Sequence, residues 1–304
     1  MSRRRPAAWL VAGLLVLLPA QAADRLDARE QPAFEALVNT LAPTAATLDW
    51  PALLQATATH PTLLGARYEA NPLDRSARGI DEPLRAGFDG FDCVTYVETV
   101  LALARTVAIG SIAADDYAAE LALLRYGDGR PGYCARRHYF GDWADLQVQA
   151  GRLDEITTEI AGSPADLAVL RLTHGFDFLT RNAAKTPALA ASPERLACAA
   201  EQEAELSARI ERSGIAYLRS TSLRAVSSRL RPGDVIAFVA DVPGLDVLHV
   251  GIVVQRPSGR LELAQASQRE GRVLVSPDLL RYAGSLRQQR GVRVFRPRDP
   301  RPVR

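Results

Sequence analysis

The apolar pattern of the chain changes period once, at Arg231-Pro232-Gly233-Asp234. Before that turn, apolar residues recur mostly at helical spacing; after it, they form short strand-like runs. Residues 235–240, 247–254, 261–266 and 272–275 read as four strands. Pro243-Gly244-Leu245-Asp246 and Pro257-Ser258-Gly259 supply turns among them. Ser276-Pro277 is expected to open a short helix reaching Tyr282, and residues 292–295 close as a fifth strand. Helices first and an antiparallel meander afterwards define an α+β fold.

The helical part is itself punctuated. Residues 23–60 read as amphipathic helices broken at Pro32, Pro43 and Pro51. Helices are expected over 93–107 and 111–126. Residues 163–226 read as mainly helical, with 192–212 as one long outer helix that Ser192 caps. The tail 297–304 is expected to be disordered. At 47% hydrophobic over 304 residues, the chain can bury a sizeable core. Its 37 basic and 35 acidic residues leave a net charge of +2. That balance offers no argument for a nucleic-acid or membrane-surface partner.

Residues 1–22 have the layout of a secretory signal. Arg3, Arg4 and Arg5 precede an apolar run too short to span a bilayer, and Ala20-Gln21-Ala22 offers a cleavage pattern. The mature chain, 23–304, is therefore expected in the periplasm, soluble once the signal is removed, and monomeric. An oxidising compartment permits disulfides among Cys93, Cys134 and Cys198, and an odd count leaves one thiol over. Pairing of Cys134 with Cys198 would free Cys93; spacing alone does not establish it. Three Cys and four His without C-x-x-C or H-E-x-x-H spacing argue for no metal site and no cofactor.

Cys93 stands where Gly90-Phe91-Asp92 turns into a helix. Asp92 is a good N-cap, and Val94, Val97, Val100, Leu101 and Ala104 make an apolar face. A thiol in the first helical turn lies near unpaired N–H groups and the positive end of the helix dipole, which favour thiolate. The alternative is a small buried cysteine, and the stretch by itself favours that alternative. A second candidate is His249, on the central strand of the meander. On the following strand Leu261, Leu263 and Gln265 share one face, which makes Gln265 the polar group able to orient an imidazole. Each taken alone is better read as a satisfied core residue. Between the two halves lies Arg136-Arg137-His138-Tyr139-Phe140-Gly141-Asp142-Trp143. It suits a polar-ligand wall, or a loop whose aromatics plug the core while the arginines face water.

Taken together, these segments resemble a family. Asp92-Cys93-Val94-Thr95-Tyr96-Val97-Glu98 is similar to the D-C-[TV]-T-[FY]-V-E segment of the DUF1460 proteins. These are an N-acetylmuramoyl-L-alanine amidase-like branch of the NlpC/P60 cysteine peptidases. Arg125-Tyr126-Gly127-Asp128-Gly129, the 136–143 stretch, Gly233-Asp234-Val235-Ile236, Gly244-Leu245-Asp246-Val247-Leu248-His249-Val250-Gly251 and Ala266-Ser267 follow in the family's order, over about residues 60–296. The resemblance implies a papain-like core, with the nucleophile helix packed on an antiparallel sheet. It implies Cys93 as nucleophile, His249 as acid and base, and Gln265 as orienter, where the superfamily often has His. By the same resemblance Tyr68 borders the site. Asp92, Arg137, His138, Tyr139, Trp143 and Asp246 are candidate contacts to sugar or peptide. The implied reaction is hydrolysis of the amide between N-acetylmuramic acid and L-alanine in peptidoglycan fragments (muropeptides). The competing readings are an endopeptidase cutting after γ-D-glutamate, and a cell-wall-binding protein with a dead site.

Overall fold

The computed structural model describes residues 26–75, 80–172 and 175–302. The expected export signal, 1–22, lies outside the described residues. The chain opens with α1 (Gln31–Ala45) and α2 (Trp50–Ala58). Pro32 and Pro51 sit in the first turns, where a missing N–H costs nothing. Pro43 lies in the last turns of α1 and does not break it. The short strands β1 (Arg67–Tyr68) and β2 (Gly90–Phe91) then lead into α3 (Cys93–Ala108). α4 (Ala114–Tyr126), α5 (Phe140–Gln149) and β3 (Leu153–Glu155) follow.

Residues 163–226 are mainly helical, as expected, but not throughout. The long helix Pro193–Ser213 is present and Ser192 caps it. On either side of it, however, β4 (Leu167–Leu170) and β5 (Ile215–Arg219) pair with each other. A run of four or five apolar residues carries too few turns for periodicity to separate strand from helix. Here β5 finds a partner in β10 (Gln289–Pro297), and that decides it. The meander itself is β6 (Val235–Ala240), β7 (Val247–Gln255), β8 (Leu261–Ser267) and β9 (Arg272–Ser276). A short helix, Leu279–Ser285, precedes β10. Its cap is Asp278, which accepts from Arg281 N at 2.9 Å, and not Ser276, which ends β9.

One sheet joins all ten strands in the order β2-β1-β9-β8-β7-β6-β10-β5-β4, with β3 also paired to β10. Among the described residues only the β1–β2 pair is parallel. Period two divides its side chains between two cores. On one face Val235, Ala237, Val250, Ile252, Ala264 and Ala266 pack with Tyr96, Val97, Val100 and Ala104 of α3. On the other, Ile236, Phe238, Val253, Leu263, Val292 and Val294 pack with Leu279 and Ala283. The tail is not loose. Pro297 O accepts from Trp50 Nε1 at 2.8 Å, and Arg301 donates to Ala45 O at 3.1 Å and Leu48 O at 3.0 Å.

α3 is buried on almost every side, because α1, α2 and α4 cover what the sheet does not. Its one carboxylate, Glu98, is 3% exposed and meets Arg125 of α4, 1% exposed, at 2.8 Å. Arg125 also donates to Arg85 O at 2.7 Å. Removing one partner leaves an uncompensated buried charge, whereas replacing both by apolar groups does not. Glu98→Ala is therefore expected to cost about 3–5 kcal/mol, read from urea unfolding, and the Glu98→Leu/Arg125→Met pair far less.

Candidate active site

The thiol of Cys93 is placed by its helix start. Asp92 Oδ1 accepts from Thr95 N at 2.8 Å, and Thr95 Oγ1 accepts from Asp92 N at 3.0 Å. This is a capping box with threonine in the position usually held by glutamate. Tyr96 N is taken by Asp92 O. The N–H groups of Cys93 and Val94 thus remain free of the cap, and both face Cys93 Sγ. The N–H of Val250, on β7, is a third donor that favours the charged form of the sulfur.

That third donor exists because the sheet splits. β7 pairs with β6 from Val247 onward, but with β8 only between Ile252 and Gln255. Ahead of Ile252, β8 stays on β9 alone, through Gln265, Ala266 and Ser267. Gly251 sits at the fork: a Cβ there would lie 2.9 Å from Ala264 O. His249 and Gln265 bridge the fork from its two sides. His249 Nε2 meets Gln265 Oε1 at 2.5 Å, and Gln265 is wholly buried. The Gln265 amide nitrogen donates to Ser276 Oγ at 2.7 Å. Tyr282 stands over His249 with ring centroids 5.8 Å apart, and its hydroxyl faces Gln265. Among the described residues no hydrogen bond joins Cys93 to His249. The imidazole Nδ1 is not engaged by Gln265.

Burial governs the electrostatics. It pushes the Cys93 thiol up to about 12; the Asp92 charge adds to this, and the three N–H groups only partly oppose it. Burial thus opposes the thiolate that the helix start favours. Although the residue is only half-buried, its sulfur is closely surrounded. Burial likewise lowers His249 to about 4, against a smaller opposing effect of Gln265. Burial thus disfavours charge on both the thiol and the imidazole. Tyr68, half-buried against this site, is pushed up to about 12 by burial and by the Cys93 charge.

Most of the expected contact residues serve the scaffold instead. Trp143, 1% exposed, donates from Nε1 to Leu124 O at 2.9 Å. Tyr139, 3% exposed, donates to Glu203 Oε1 at 2.5 Å. His138 Nε2 is bonded to Tyr133 O at 3.0 Å, and its ring packs on Tyr133 at 4.4 Å. Arg137 is half-exposed and reaches Asp142 at 3.5 Å. Asp92 is committed to Thr95. Asp246 is buried, with Oδ2 accepting from Gly141 N at 2.7 Å and Oδ1 from Val247 N at 2.8 Å. A Cβ on Gly141 would collide with that carboxylate at 2.4 Å. The 136–143 loop is thus a core plug, and the Cys134–Cys198 disulfide ties its start to the long helix.

Apart from His249 itself, the opening beside it is built from residues that sequence reasoning passed over. A cavity of about 510 Å³ is lined by His249, Ser276 and Tyr282, with Arg269, Arg281 and Arg287 facing Glu270 and Asp278. Its size suits a small organic ligand. Hairpin register could have found Ser276: it follows Leu274, the partner of Gln265, by two residues and shares its face. Tyr282 sits on a helix outside the ladder and carries no such signal.

Comparison with known proteins bears on this site. The family model described as AmiA-like, N-acetylmuramoyl-L-alanine amidase-like, matches residues 58–292. A solved N-acetylmuramoyl-L-alanine amidase from Bacteroides uniformis has a TM-score of 0.68 at 31% identity, covering 82% of this chain and 99% of its own. A second such structure from that organism has a TM-score of 0.67 at 29% identity, over 82% and 99%. A Legionella pneumophila protein carrying the DUF1460 family model shares the fold. Its TM-score is 0.68 at 22% identity, over 91% of this chain and 98% of its own. No curated protein matches the chain.

Two measurements check the local assignments. Asp246→Ala leaves two buried N–H groups unpaired and should cost about 1–3 kcal/mol in chemical denaturation. A purely substrate-binding Asp246 would leave stability unchanged. Alkylation of Cys93 by iodoacetamide should be slow near neutral pH and rise about tenfold per pH unit well beyond the range of an ordinary thiol. Rapid labelling near neutral pH would instead reveal a resting thiolate.

Proposed function

The chain belongs to the N-acetylmuramoyl-L-alanine amidase-like family, and we propose that it is a cysteine amidase cleaving the bond between N-acetylmuramic acid and L-alanine in peptidoglycan fragments. The observation that carries this reading is a Cys93 thiol at the start of α3, close to the backbone of Val250, the residue that follows the His249 held by Gln265 across the fork in the sheet.

With both groups neutral, the proton moves during attack and not before it. Nδ1 of His249 takes the thiol proton as Cys93 Sγ bonds to the lactyl carbonyl carbon. The developing oxyanion is stabilised by N–H groups at the start of α3, which need not reorganise. The C–N bond breaks, His249 returns its proton to the alanine nitrogen, and a thioester remains. Water then attacks with His249 as base, releasing the lactyl carboxylate and restoring the thiol. Gln265 accepts from Nε2–H throughout and stabilises the transient imidazolium. The cavity beside His249 supports a substrate with several charges. Its three guanidiniums suit the carboxylates of a stem peptide, and its two carboxylates suit an amine. The disulfide supports an exported, periplasmic location.

Residues 23–304 incubated with an N-acetylmuramoyl tripeptide should yield free N-acetylmuramic acid and the intact peptide, identified by mass. Cys93→Ala should yield neither. A shortened peptide would assign the γ-D-glutamyl bond instead, and no product from any fragment would leave a binding protein. The imidazole must be unprotonated to accept the thiol proton. Activity should therefore fall as pH drops through about 4, and not through 6.5, in a kcat/KM profile.

A further inference from the structure

We propose that Ser276, assisted by Tyr282, is a positioning residue that sets the orientation of the Gln265 amide and through it the tautomer of His249. The inference rests on the reading of Cys93 and His249 as the catalytic pair.

A primary amide has nearly the same shape when its two ends are exchanged, so only its polar partners choose the orientation. The choice has consequences here. With Oε1 toward the ring, Gln265 accepts from His249 Nε2–H, and Nδ1 is left as the bare nitrogen that can receive a proton. With the amide reversed, the NH2 end would face Nε2 and favour the opposite tautomer, whose Nδ1 already carries hydrogen. A neutral amide in this position, unlike a carboxylate, has a wrong way round.

In the structure Ser276 meets the amide in the first of these orientations. Its Oγ lies 2.7 Å from the amide nitrogen and accepts from it. Tyr282 packs on the His249 ring that the same amide holds, with ring centroids 5.8 Å apart. The position is set by the ladder. Leu263 is paired with Ser276, and Gln265 with Leu274, so Gln265 and Ser276 are diagonal neighbours on one face of the sheet. Tyr282 arrives from the short helix and also packs on Phe238, with centroids 5.6 Å apart. Gln265 is wholly buried, so water does not compete for its amide nitrogen. Ser276 also lines the cavity beside His249, at its junction with the buried amide.

The test is imidazole 15N NMR of the full mature chain, which reports the His249 tautomer whether or not turnover occurs, together with steady-state kinetics. Wild type should show the Nε2–H form. Ser276→Ala should show a mixture of tautomers and a kcat lower by about tenfold with KM unchanged, the loss of one net hydrogen bond. Ser276→Thr, which keeps the hydroxyl, should restore both readouts. Ser276→Cys, nearly isosteric but a weak acceptor, should shift both in the direction of alanine and covers the case of an alanine variant that does not fold. An unchanged tautomer and kcat in the alanine or cysteine variants would overturn the proposal, as would a threonine variant no better than alanine. An active Cys93→Ala would sink the catalytic reading separately, because the tautomer measurement does not depend on it.

Discussion

Burial of α3 between the sheet and three other helices is the constraint on which the rest depends. The helix is apolar around most of its circumference, and Glu98 enters that environment only by pairing with Arg125. A helix held this firmly has a fixed N-terminus, and the N-terminus is where Cys93 stands. The sheet then completes the arrangement by separating β7 from β8 at the point the thiol reaches. His249 and Gln265 belong to opposite banks of that separation, so the hydrogen bond between them spans the gap that pairing leaves.

The same burial sets the chemistry. A helix N-terminus favours a nearby anion by roughly 0.3–1 kcal/mol at an exposed site. Removing a thiolate from water opposes it, and at Cys93 the removal wins, aided by the neighbouring Asp92. The imidazole is driven toward neutrality by the same cause. On the proposed reading, a neutral pair spares the resting site a buried charge, and charge develops only when substrate and N–H donors can stabilise it. It also makes the tautomer of His249 matter, because a neutral imidazole has one acceptor and one donor nitrogen. The packing of Gln265 against Ser276 and Tyr282 bears on that point.

The loop 136–143 illustrates how one set of residues can be read two ways. Its aromatics and arginines have the composition of a ligand wall, yet they are spent on anchoring. Tyr139 and Trp143 fill the core, Arg136 is paired with Asp74 at 2.8 Å and Glu82 at 3.0 Å, and Gln202 binds Cys134 O and Arg136 O. Asp246 ties this loop to β7 three residues ahead of His249. The conspicuous residues thus brace the strand that carries the imidazole, while less conspicuous ones line the cavity.

By itself the sequence determined what local rules can carry. The start of α3 at Cys93, its Asp92 cap, the strands 235–240, 247–254 and 261–266, and the shared face of Gln265 follow from capping chemistry and period two, which act over a few residues. The order of the motifs was enough to indicate the family. Tertiary structure decided everything that depends on distant partners. It made strands of 167–170 and 215–219, because β10 offers an edge that periodicity cannot see. It anchored the tail through Trp50 and Arg301. It turned Tyr139, Trp143 and Asp246 inward, brought Tyr282 over His249, and opened the sheet beside Cys93. Side-chain burial is a sum over neighbours from the whole chain, and so are the ionisation of Cys93 and the tautomer of His249. No local pattern encodes that sum.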